Sequence, residues 1–74
     1  MNYEKEAVSA DLILTAAIED YAERTGQKRE KIKDQMIECG AYDALYDFDT
    51  GLWTQGPDYF MDFFLKKYAA MGKR

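Results

Sequence analysis

The tightest constraint on this chain is a short length with no staple to reinforce it. Its 74 residues include one cysteine, Cys39, and no histidine. A domain of this size buries only roughly 60% of the surface that its unfolded chain exposes, and small domains commonly add a disulfide, a metal or a partner chain to so thin a core. One thiol cannot close an internal disulfide, and a zinc site has too few ligands to draw on. Good helix packing or self-association remains. A composition that is 47% hydrophobic and 15% aromatic is too apolar for a disordered chain, so the expectation is a single folded domain over residues 1–74.

Apolar periodicity sets the fold class. Tyr3, Ala7, Ala10, Leu14, Ala17 and Tyr21 recur at spacings of three and four, and Val8, Ile18 and Ala22 widen the stripe. That is an amphipathic helix over about 9–25, with Ser9 or Asp11 as its cap if the first residues fray and Gly26 as its stop. A second helix over about 28–39 places Ile32, Met36 and Cys39 on one face, with Ile37 beside them, and ends at Gly40. The segment AYDALYDF predicts a short helix over about 41–48 that buries Tyr42, Leu45 and Tyr46. Asp47, Asp49, Thr50 and Gly51 form a turn, after which Leu52 and Trp53 are expected to be extended. Pro57 at a first helical position and Asp58 beside it open a last helix over about 57–71. Its stripe is Phe60, Met61, Phe64, Leu65, Tyr68 and Met71, with Phe63 at the edge and Lys66, Lys67 and Lys73 toward its end. The expected architecture is all-α, a compact array of three to four helices, with a self-associating bundle as one form open to it.

Charge is unevenly spread around a net of −4. Arg24, Lys28, Arg29, Lys31 and Lys33 cluster near the start of the second helix, and no Lys or Arg falls between Asp34 and Leu65. Such a cluster suits a phosphate backbone, which gives the alternative reading of a nucleic-acid-associated regulator using residues 24–33. The acidic middle argues against it. In a helix-turn-helix, the recognition element would be AYDALYDF, which carries two aspartates and none of the usual base-reading side chains. The N-terminal stretch has Glu4, Glu6 and Asp11 among its apolar residues, unlike a signal peptide, and no run approaches the ~18 uncharged residues of a membrane span. With a lone thiol, the expected location is the cytoplasm and no membrane association is expected.

Catalytic chemistry finds little support. Without histidine the commonest activating base is missing, and Cys39 lies at a helix C-terminus after Glu38, where the helix field disfavours a thiolate. Its place on the apolar face predicts a buried, structural thiol. Asp43 and Asp47 lie one turn apart, but no base or oxyanion donor converges on them in the sequence, so no catalytic residue and no cofactor is assigned. The segment Asp47 to Asp58 matches calcium-loop offsets at its first, third and twelfth places, which gives a second alternative, a calcium-binding helix-loop-helix over 47–58. Gly51 and Leu52 then occupy the places of a ligand and of the required glycine, and Asp58 is shorter than the bidentate glutamate, so no metal ligand is assigned.

The segment Leu52-Trp53-Thr54-Gln55-Gly56 sets a large aromatic and an amide beside a helix start, where recognition often resides. The competing account has Leu52 and Trp53 plug the core while Thr54 caps the last helix. Six tyrosines, four phenylalanines and one tryptophan are many for four short helices to hide, and exposed aromatic patches mark protein interfaces. The leading expectation is a non-enzymatic protein–protein interaction or accessory module that contacts a protein partner or a second copy through Trp53, Gln55 and Tyr59.

One order of motifs is familiar. Ile18-Glu19-Asp20-Tyr21-Ala22 with Gly26, a second helix ending in Cys39-Gly40, Tyr42-Asp43-Ala44-Leu45, and Leu52-Trp53-Thr54-Gln55-Gly56 with Tyr59 together resemble the short bacterial proteins of the domain of unknown function 3791 family. The resemblance covers about residues 12–68 and is sharpest at Thr54-Gln55-Gly56 with Tyr59. Trp53 stands where that family is expected to carry a histidine, and Pro57 makes the helix start more abrupt. The resemblance implies a small helical cytosolic protein and brings no activity with it. It also implies gene neighbours that include larger partners, some similar to ADP-ribosyltransferase toxins, and hence an antitoxin-like role.

Overall fold

A computed structural model describes residues 2–72, with side chains from residue 5 onward; Tyr3, Lys73 and Arg74, which the sequence placed on the outer helices or at the end of the chain, lie outside the described side chains. The described residues form α1 (Asn2–Thr25), α2 (Arg29–Glu38), α3 (Ala41–Tyr46) and α4 (Pro57–Ala70), with two 3-10 turns, Phe48–Thr50 and Leu52–Thr54, between α3 and α4. The fold is all-α, a compact helical array, as the periodicity predicts.

Helix α1 starts well before the expected cap. Ser9 and Asp11 are interior residues, and the helix runs on to Gly26, whose N–H closes onto the Ala22 carbonyl at 2.8 Å. The buried face of α1 is Ala10, Ile13, Leu14, Ala17 and Ile18. Ile13 belongs to it by the same spacing, three from Ala10 and four from Ala17, whereas Val8 lies outside the stripe and is exposed. Ile32 and Met36 of α2, Ala41 and Leu45 of α3, Leu52, and Phe60, Met61 and Phe64 of α4 complete the core, with Cys39 at its margin. The Cys39 Sγ sits 3.6 Å from the Met36 carbonyl.

Several expected core positions lie at the surface. Ile37, Leu65 and Met71 are exposed, and Tyr42, Tyr46, Phe63 and Tyr68 are half-buried. The cause is geometric: each helix packs on one side only, so the flanks of a broad stripe stay wet. The tyrosines resolve this by keeping rings on the core and hydroxyls at its edge. Tyr21 meets Phe64 edge-on at 5.7 Å, which ties α1 to α4, and Phe64 continues onto Tyr68 at 5.7 Å.

Two glycines decide where the chain turns. Gly40 (φ 87°, ψ 0°) takes the left-handed conformation that sets α3 off from α2. Gly56 (φ 90°, ψ 168°) occupies a region essentially closed to L-residues and precedes Pro57, the first residue of α4.

Candidate functional site

The segment from Asp47 to Tyr59 is built by its own hydroxyls. The Thr50 hydroxyl donates to the Ala44 carbonyl at 2.8 Å, has the Asp47 carbonyl at 2.9 Å, and accepts from the Leu52 N–H at 3.2 Å. The Thr54 hydroxyl donates to the Gly51 carbonyl at 2.6 Å. These bonds wind Leu52–Thr54 into a 3-10 turn, so the expected extended Leu52-Trp53 does not form. Threonine side chains that bond locally to the backbone favour such turns over strands. They also remove Thr54 from capping: the N-cap of α4 is Gly56, which has no side chain to offer.

Leu52 is buried, while Trp53 is half-buried against the core and donates its indole N–H to the Phe48 carbonyl at 3.1 Å. Trp53 thus bridges the two 3-10 turns and is committed to the fold at one edge. Gln55 and Tyr59 differ. Gln55 is exposed, and its amide reaches no farther than the Thr54 hydroxyl at 3.4 Å. Tyr59, in the first turn of α4, is 55% exposed beside fully buried Phe60. Of the three sequence-predicted contact residues, Gln55 is exposed on a hydrogen-bonded loop, Tyr59 is exposed in the first turn of α4, and Trp53 supports the loop.

The same loop carries the calcium-spaced carboxylates. Asp47 Oδ1 accepts the Asp49 N–H at 3.2 Å and so caps the first 3-10 turn. Among the described residues no cluster of three or more Cys, Asp or Glu is arranged to hold a metal. The Asp43–Asp47 pair is exposed at the surface of α3.

The basic cluster is divided. Arg24 pairs with Asp20 at 3.0 Å on α1. Lys28 and Arg29 line an open groove between α1 and α2 that also holds Glu19, Asp20, Glu23 and Glu30. Lys33 lies over the Tyr42 ring, 5.6 Å from its centroid. Four of the five cations therefore lie among carboxylates or over an aromatic ring, and Lys31 is exposed. In a helix-turn-helix arrangement the recognition helix would be α3, whose two tyrosines point back to the fold: Tyr42 stacks on Tyr46 at 4.8 Å, and the Tyr46 hydroxyl donates to Asp11 of α1.

That Tyr46–Asp11 bond joins residues far apart in sequence, and periodicity gives no sign of it. Burial first, and then donation to Asp11, hold the Tyr46 phenol well above its ordinary value of about 10. A second bond hidden from the sequence runs from the Gln35 amide to Gln27 Oε1 at 3.0 Å, fastening the α1–α2 turn to α2. No helix among the described residues is long and apolar enough to cross a membrane.

No family model matches this chain, and neither a curated protein nor a solved structure does.

Proposed function

We propose that this protein is a non-enzymatic protein–protein interaction module, an accessory of antitoxin type in the bacterial cytoplasm, with Gln55 and Tyr59 at the centre of its contact surface. The observation that carries this reading is the exposure of Tyr59 in the first turn of α4, beside a loop whose threonine hydroxyls and indole N–H are already bonded to the chain's own backbone. Ordering such a loop costs little on association, because its hydrogen bonds exist beforehand, and a tyrosine offers a large contact area for two side-chain torsions. The resemblance to domain of unknown function 3791 supports the accessory role, since its sharpest residues, Thr54-Gln55-Gly56 and Tyr59, form this surface. The buried Cys39 and the lack of histidine support a reading without catalysis.

Capture of the tagged chain from a lysate of its own host, with bound proteins read by mass spectrometry, tests the proposal. One protein retained near stoichiometry is the expected result. An empty capture contradicts it.

A further inference from the structure

Across α1 from its buried face runs a self-complementary stripe, whose Ala16 and Glu19 also border the open groove toward α2. Lys5, Val8, Leu12, Ala16 and Glu19 are all exposed, Val8 at 57% and Leu12 at 67%. Their spacings are three, four, four and three, symmetric about Leu12. At 3.6 residues per turn all five lie within an arc of about 80°, opposite Ala10, Leu14 and Ala17. Leu12 and Val8 are aliphatic side chains that the fold leaves in water in the middle of its longest helix.

We propose that this face binds the same face of a second copy, as an antiparallel α1–α1 pair with its two-fold axis at Leu12. Closed two-fold dimers need one patch that complements itself under rotation. Here the rotation sets Leu12 on Leu12, Val8 on Ala16, and Lys5 on Glu19. The Val8–Ala16 contact pairs a branched side chain with a small one, which lets the two helices approach closely. Each Lys5–Glu19 contact pairs opposite charges, and the symmetry makes it twice per dimer. Among the described residues the ion pairs are Arg24–Asp20 and Lys66–Asp62, so neither Lys5 nor Glu19 is in an ion pair, although Glu19 shares its groove with Lys28 and Arg29. In a parallel arrangement the same stripe would set lysine on lysine and glutamate on glutamate, so charge selects the antiparallel one. The surface is separate from Gln55 and Tyr59 and does not depend on the function proposed for them.

Sedimentation equilibrium from micromolar to near-millimolar concentration reads the outcome. The wild-type protein is expected to approach twice its monomer mass, and Leu12→Asp to stay monomeric with unchanged helical circular dichroism and melting. Lys5→Glu is expected to raise the dissociation constant severalfold, and the swap Lys5→Glu with Glu19→Lys to restore it. A wild-type monomer throughout, or a dimer indifferent to Leu12→Asp, overturns the interface. Failure of the charge swap to restore a dimer weakened by Lys5→Glu overturns the antiparallel register.

Discussion

Tyr46 shows how one side chain can hold distant parts of a small chain together. Its ring stacks on Tyr42, and its hydroxyl reaches Asp11, so α3 is tied to α1 by a polar bond at the edge of an apolar core. Tyr46→Phe keeps the ring and removes the bond, which is expected to cost about 1 kcal/mol and, for a domain this small, about 5 °C in melting temperature. The pH dependence has a definite sign. The phenol is raised above its ordinary value of about 10 in the folded state, so the stabilisation is intact below pH 10 and is lost as the pH rises beyond it. The wild-type melting temperature should therefore fall more steeply above pH 10 than that of Tyr46→Phe; parallel slopes would remove the bond from the account. Nothing in the sequence marks this pair, because an aspartate and a tyrosine in different helices carry no periodic signal. Trp53 is the opposite case. Its place in the sequence left both a contact role and a core-plugging role open, and the structure half-buries its ring and gives its indole N–H to Phe48.

At the scale of elements, apolar spacing and punctuation made most of the fold legible. Pro57 opens α4 and Gly40 separates α2 from α3, as read from the sequence. What spacing could not supply was the side of each helix that finds a neighbour. Val8, Ile37, Leu65 and Met71 fit or adjoin apolar stripes yet lie outside the packed zone, since period alone does not fix how wide the buried arc is. The 52–54 segment escaped for another reason: threonine hydroxyls closing onto backbone carbonyls compete with extension, and that competition is settled by local hydrogen bonds. The glycines offer a comparison within this layer. A Cβ at Gly40 or Gly56 would meet nothing within 4 Å, so the cost of alanine there is conformational. Gly40→Ala, in the left-handed helical region, is expected to cost about 1 kcal/mol, and Gly56→Ala, beyond it, about 2–3 kcal/mol. Thermal melts that rank the two in the reverse order would mean that the α3–α4 connection relaxes around Gly56.

For the whole molecule, packing on one side of the longest helix explains the surface. Among the described residues, a long α1 with α2, α3 and α4 packed on one side closes a core of fourteen apolar residues and leaves Val8 and Leu12 of α1 exposed. The two surfaces proposed for association lie outside that core: the stripe through Leu12, and the rim at Gln55 and Tyr59. The candidate site was legible in part. Gln55 and Tyr59 sit at the surface that the loop composition suggested, whereas the stripe through Leu12 went unread because Leu12 falls off the core period and Lys5 and Glu19 look like ordinary solvated charge.

The exposed Gln55–Tyr59 rim is proposed as the contact surface for a protein partner. Parallel capture from host lysate with the wild-type chain and with Gln55→Ala combined with Tyr59→Ala tests it most directly, once matched circular dichroism and melting show that both fold alike. A partner that the wild-type chain retains near stoichiometry and the double variant loses is the expected result. Equal retention by both chains would contradict it.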